Sequence, residues 1–314
     1  MTNLGSRTGI GILGCELLFR RKECAIFLNS VVKLDSDLKG KFIGPGKITQ
    51  YYKSLSRFVY MLGIVSAFYP IFGPIPKLIK NRHHRQYWGS QLLPRSIYDH
   101  TVVSVLFILY EVNITFANAF AVGLTTSMLY CYMQLTELWL ETVENGKFSS
   151  ITVPISMKLK IFSSLKILNI LQNEIAAPVL WPTFENTLLA MQVVIHVANI
   201  RFLDDLQPGL FFMQEIVLGF TMIFQGKCIK SGAKMGAIST QFKKTVRRFG
   251  NKFEKKVAKS LHPLRVNVGQ FYCFKKSTFM TFLQAHVDTT ISWLLTLYPG
   301  STSQHLKLRH SASN

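Results

Sequence analysis

TFMTFLQAHVDTTISWLLTLY, residues 278 to 298, is the stretch on which the reading of this chain turns. It is helix-forming, it carries one formal charge, Asp288, and at about 20 residues it is long enough to cross a bilayer. Directly before it, between Lys230 and Lys276, stand thirteen lysines and arginines against one acid, Glu254. A spanning helix behind a basic loop is what retention of that loop in the cytosol produces.

Composition supports the same class. The net charge of +20 has three ordinary explanations: nucleic acid, an anionic membrane surface, or loops held inside during insertion. With 48% hydrophobic and only 17% charged residues, the chain is too apolar for an ordinary nucleic-acid-binding domain. Five cysteines, Cys15, Cys24, Cys131, Cys228 and Cys273, form no CxxC pair and no metal spacing, and so read as apolar fillers or cytoplasmic thiols. Residues 9 to 19 are apolar, but Glu16 interrupts them and Arg20, Arg21 and Lys22 follow instead of preceding, which makes a poor signal peptide and too short a span.

Five segments qualify as spans: 58–76, 101–133, 179–202, 206–229 and 278–298. The expected fold is therefore an all-α, polytopic transmembrane helix bundle, with 1–57 as a cytoplasmic N-terminal segment, 230–276 as a basic cytoplasmic loop and 299–314 as a disordered tail. Pro70, Pro74 and Pro76 should kink or end the first span, and the second is longer than a bilayer needs. Residues 1–57 hold ten basic residues against Glu16, Glu23, Asp35 and Asp37, while Asp204 and Asp205 make the hairpin between the third and fourth spans acidic. The positive-inside rule then places the N-terminus in the cytosol and the C-terminus outside. The basic loop 77–100 runs against that bias.

Below the membrane, the spacing predicts a helix over 155–175. Phe242, Val246, Phe249, Phe253, Val257 and Leu261 recur at steps of three or four and predict one apolar stripe on a basic helix. Its partner is the chain itself or a neighbouring subunit, a lipid surface, or a calmodulin-like protein.

Each of the last four spans contains an acid: Glu111, Glu185, Glu215 and Asp288. A carboxylate at mid-span costs at least ~2.5 kcal/mol on insertion scales, so such residues face water or a polar partner unless they reach the interface. In the last span Thr281, Gln284, Asp288 and Ser292 fall, at about 100° per residue, on one narrow helix face. Such a stripe lines an aqueous pore or hydrogen-bonds to another helix.

Enzyme motifs are lacking. Gly40 to Lys47 has the wrong spacing for a phosphate loop, and Ile48 stands where Ser or Thr would hold magnesium. There is no HExxH, GxSxG or dinucleotide fingerprint, so neither a catalytic residue nor a cofactor is expected. His83 and His84 have no further ligand spaced nearby, so no metal site is expected. The glycosylation sequon at Asn113 lies inside an expected span.

The order of features, a close pair of spans, a long basic loop, the run from Leu261 to Tyr272 and a last span with Gln284 near its start, resembles the arthropod seven-helix chemoreceptors, the gustatory and odorant receptor superfamily. That family's last helix carries Thr-Tyr, five apolar residues and Gln-Phe; here Ser277-Thr278, residues 279–283 and Gln284-Ala285 align, with Gln284 the identity. The resemblance covers 179–298 best and does not choose between gustatory and odorant receptors. It implies that the five spans correspond to the family's third to seventh, with the first two missing or degraded at the N-terminus. It further implies a plasma-membrane, ligand-gated, non-selective cation channel, a homo- or hetero-tetramer with a pore lined by the last helix. Thr281, Gln284, Asp288 and Ser292 would face that pore. A tastant or odorant cavity would lie in the outer half of the earlier spans, with Tyr110, Glu111, Asn113 and Asn118 as candidate contacts. The competing readings are a seven-helix receptor signalling through a cytoplasmic partner, and a transporter or non-conducting membrane subunit that uses the four acids as a relay.

Overall fold

The structure, a computed structural model, describes residues 2–42, 49–72, 94, 97, 100–145, 153–201 and 208–296. Most of these residues are helical: α1 (Thr2–Phe19), α2 (Arg21–Phe42), α3 (Thr49–Phe72), α4 (Thr101–Asn145), α5 (Ile155–Ile175), α6 (Trp181–Arg201), α7 (Pro208–Phe249), α8 (Lys252–Ser260) and α9 (Thr278–Thr296). Strands β1 (Asn267–Val268) and β2 (Tyr272–Cys273) pair antiparallel between α8 and α9. The chain divides into two compact units, Met1–Thr187 with Cys228–Lys276, and Leu188–Lys227 with Ser277–Asn314.

Among the described residues one helix, Thr101–Glu144, is long and apolar enough to cross a membrane, and only 6% of its apolar window is buried. The core helix of a water-soluble protein would instead be mostly covered. Exposed Val102, Val105, Leu106 and Leu109 supply that surface. At 45 residues α4 extends about 67 Å, beyond the end expected at Met133, and its last three turns become part of a packed core in which Leu138, Trp139, Leu140 and Val143 are almost wholly covered. The other expected spans are helical over 58–72, 181–201, 208–229 and 278–296; residues 73–76, 202, 206, 207, 297 and 298 lie outside the described residues, as does the tail 299–314. The loop 77–100, with His83 and His84, is almost entirely outside them too.

In the first unit the N-terminal segment is structured, with α1 and α3 both packed along α4. Gly14 of α1 comes so close to α4 that an added Cβ would sit 3.7 Å from the Ala121 Cβ, and the Phe58 and Tyr130 rings meet at 4.2 Å. Thus α1 lies beside the apolar portion of α4. Further along, Tyr52 and Trp139 both donate to Asp35 Oδ1, at 2.6 and 2.8 Å, tying α3, α4 and α2 together.

The junction of α5 and α6 is one continuous rod with a π-helical turn at Ala176–Leu180. Pro178 has no N–H to return to the preceding turn, and the bond from the Trp181 N–H reaches back five residues to the Ala176 carbonyl. In that register the Ala177 carbonyl would next need the N–H of residue 182, which is Pro182 and has none. The Gly269 N–H takes its place at 2.8 Å. Gly269 sits at φ +62 in the turn between β1 and β2, a conformation other residues adopt only at a cost.

The run from Leu261 to Tyr272 is held to this unit by side chains that replace sheet or helix partners. The Leu264 N–H donates to Ser239 Oγ, the Asn267 N–H to Asn173 Oδ1, and Arg265 is bracketed by Asn169. The apolar stripe expected as one helix from Phe242 to Leu261 breaks at Gly250. Helix α7 ends at Phe249, and Asn251 starts α8 with a capping box, its side chain accepting from the Glu254 N–H while Glu254 accepts from the Asn251 N–H. Phe242 and Val246 are buried, with Phe242 stacked on Phe162 at 4.9 Å, whereas Phe249 and Phe253 are exposed.

Candidate functional site

The second unit is built from the end of α6, the beginning of α7, and α9. Thr281, Gln284, Asp288 and Ser292 are all exposed on α9, on the shared face their spacing predicts. The Thr281 and Ser292 hydroxyls donate to carbonyls one turn back, those of Ser277 and Asp288, at 3.3 and 2.8 Å. That internal bonding leaves the Gln284 amide and the Asp288 carboxylate as the groups on this face with no hydrogen-bond or ion-pair partner among the described residues. The face turned inward holds His286 and Thr290, 3% and 8% exposed, with the Thr290 hydroxyl donating to the His286 carbonyl at 2.8 Å.

Opposite His286, helix α6 presents a polar row absent from the candidates drawn from the sequence. Gln192, His196 and Asn199 stand at intervals of four and three residues, on one face of α6. Gln192 is fully buried and donates to Thr221 Oγ1 and Gln225 Oε1 of α7, each at 3.3 Å. His196 Nδ1 lies 3.0 Å from His286 Nε2, with the rings stacked at 4.8 Å and 26° between planes. Asn199 donates to Glu215 Oε1 at 2.6 Å. The amide oxygens of Gln192 and Asn199 are buried without a hydrogen-bond partner. The sequence does carry a signal for this row, polar residues at helical spacing like those that mark α9, but the positions of the acids alone do not reveal it.

The expected ligand contacts on α4 do not converge. Tyr110 is 53% exposed and Asn113 is exposed, its amide donating to the Leu109 carbonyl of its own helix, whereas Glu111 points inward and is 2% exposed. The Asn118 side chain lies outside the described residues. Of the four acids, Glu185 and Glu111 are buried, Glu215 is bonded to Asn199, and Asp288 is exposed. Each stands on a different helix, and among the described residues no cluster of three acids forms from them.

In the first unit a different charged group forms. Lys234 of α7 reaches Glu137 and Glu141 of α4 together, and Ser231 donates to Glu137 at 2.6 Å. Burial by itself would lower the Lys234 amine, but the hydrogen bonds and charges of the two glutamates outweigh it and hold the amine above its ordinary value. Further along the same two helices, Thr245 donates to Glu144 at 2.8 Å, continuing the seam.

Among the described residues no three His, Cys, Asp or Glu side chains come together to hold a metal ion. What the second unit offers is a row of amide, imidazole and hydroxyl groups inside, ending at the Glu215 carboxylate, and a second carboxylate, Asp288, outside. Compared with known proteins, the chain matches no family model and no curated protein sequence. Its class is therefore defined by its own features: an all-α protein with, among the described residues, one membrane-length apolar helix and a second helix whose polar face is uncovered.

Proposed function

We propose that the chain is a subunit of a ligand-gated, non-selective cation channel of the gustatory and odorant receptor kind, set in the plasma membrane by five spans. The observation that carries this reading is the exposure of Gln284 and Asp288 on α9 while the same helix buries a different polar face. A carboxylate on a spanning helix is costly against lipid, so its uncovered face requires water or another subunit. Copies of the chain arranged around a symmetry axis supply both, bringing one Asp288 per subunit to a common aqueous path and favouring cations by charge. Thr281 and Ser292, with hydroxyl hydrogens committed to their own backbone, present oxygen lone pairs to the same path.

The orientation proposed is N-terminus inside and C-terminus outside, with α8 and the Lys234 seam in the cytosol. The ligand is a small tastant or odorant, no enzymatic step is involved, and the tetramer is homomeric or shared with related subunits. Current recording from cells expressing the chain, alone and with a candidate co-receptor, across tastants and volatiles, tests this. A ligand-evoked cation current is expected. Silence under every pairing, with surface expression demonstrated, sinks the channel reading.

A further inference from the structure

We propose that His196 and His286 form a proton-operated latch that fastens α9 to α6 at neutral pH and releases it in acid. The two ring nitrogens are 3.0 Å apart, a hydrogen-bond distance that requires one ring to donate and the other to accept. A neutral pair satisfies this, and so does a pair holding one extra proton between the rings. A second extra proton leaves two donors and two positive charges face to face, with His286 only 3% exposed and the rings already stacked. The doubly protonated pair is accommodated by separating the helices, so acid favours the separated state.

Among the described residues of the unit, no fixed charge is hydrogen-bonded or ion-paired to either ring. On the part of α7 within this unit the ionisable groups are Glu215, whose carboxylate accepts from Asn199 one turn away along α6, and Lys227, which is exposed. On α6, Arg201 is exposed; on α9, so is Asp288. Thr221, Gln225 and Gln192, the other polar groups of the row, carry no charge and bond to one another. The orphaned Gln192 and Asn199 oxygens flank the histidines along α6 and give water entering an opened interface two acceptors.

The latch stands whether or not the chain conducts; only its consequence for current rests on the proposed channel. In that case α9 is the helix both lining the path and held by His286, and acid acts on gating from the side away from Asp288.

The test is a distance measurement that needs no ligand and no current. Spin labels are placed at exposed positions of α6 and α9 by Ile200→Cys and Ile291→Cys, with Cys15, Cys24, Cys131, Cys228 and Cys273 changed to alanine, in the full chain in lipid nanodiscs. Electron–electron double resonance at pH 7.5 is expected to give one distance population. A second, longer one should grow as the solution is acidified from pH 7.5 and dominate at pH 5. Neutral-amide replacements that keep hydrogen bonding, His196→Gln and His286→Gln, should each remove the pH dependence while leaving the pH 7.5 distance. An unchanged distance from pH 7.5 to 5, or the same acid shift in both glutamine variants, overturns the latch. Loss of ligand-evoked current with the acid shift intact overturns the channel reading alone.

Discussion

Asn169 brackets the backbone of Arg265, accepting from its N–H at 3.1 Å and donating to its carbonyl at 2.9 Å, across 96 residues of sequence. One amide thereby does for an extended segment what a neighbouring strand does in a sheet. Asn173, one turn on, repeats it with the Arg265 carbonyl and the Asn267 N–H at 2.8 and 3.0 Å. The segment that separates α8 from the hairpin is thus held in register by α5.

Replacing Asn169 with leucine leaves the Arg265 N–H and the Tyr132 hydroxyl, which also meets Asn169 at 3.1 Å, without this partner in a covered site. We expect a loss of about 2 to 3 kcal/mol. Thermal unfolding in detergent, followed by size-exclusion recovery, should show an apparent Tm lower by about 5 °C or more. A Tm within a degree of the parent shows that the bracket contributes nothing.

Stability should fall on the alkaline side. The Lys234 amine sits above the ordinary lysine value because Glu137 and Glu141 outweigh its burial, and the Tyr52 phenol is raised by burial and then by its bond to, and the charge of, Asp35. Both groups hold protons more tightly folded than unfolded. Their contribution is complete below about 10, the unfolded tyrosine value, and is lost as pH rises through the raised folded values. Chemical unfolding between pH 8 and 11.5 should show that decline, with Tyr52→Phe and Lys234→Met each flattening it. A profile equally steep in both variants rejects the assignment.

Asp288→Asn separates folding from conduction. Because the carboxylate is exposed and unpaired among the described residues, the variant should accumulate and melt within about 0.5 kcal/mol of the parent. In the proposed channel it should nevertheless lower cation conductance and weaken cation-over-anion selectivity, read from reversal potentials in asymmetric salt. Unaltered selectivity removes Asp288 from the path.

Two glycines of α7 should respond oppositely to alanine. At Gly232 the new Cβ falls 2.6 Å from Phe274 Cδ2, and Phe274 is buried against the Trp181 ring at 5.1 Å, so it has little room to yield. Overpacking of about 1 to 3 kcal/mol there outweighs the helix-propensity gain of up to about 1 kcal/mol. At Gly219 nothing lies within 4 Å, so the gain stands alone. Melting curves of Gly232→Ala and Gly219→Ala should therefore shift down and up respectively; a rise in both would mean that Phe274 moves freely.

Much of the helical layout is legible in the amino-acid order alone. The 3.6-residue apolar spacing delimits Ile155–Ile175 with the bounds the fold has, and α9 begins at Thr278 as its composition predicts. The polar face of α9 is legible for the same reason, since relative positions on a single helix follow from its pitch. Less can be read where a residue's partner is far away in sequence. The apolar run 101–133 says nothing of the amphipathic turns beyond it, which are helical because Leu138, Trp139 and Val143 have something to pack against. The stripe from Phe242 to Leu261 keeps its period through Gly250, yet the Asn251 cap starts a new helix there.

By itself, the sequence determined that the chain is helical and unusually apolar and that Thr281, Gln284, Asp288 and Ser292 share a face, because pitch and composition are local properties; of the five stretches read as spans, one, within α4, is long and apolar enough to cross a membrane among the described residues. Tertiary structure alone decided that this face is uncovered, that His286 on the other side meets His196, and that Gly269 completes the broken register at Ala177. Those depend on which helices become neighbours, and that is settled by packing and hydrogen-bond satisfaction summed over pairs such as Asn173 and Arg265, 92 positions apart.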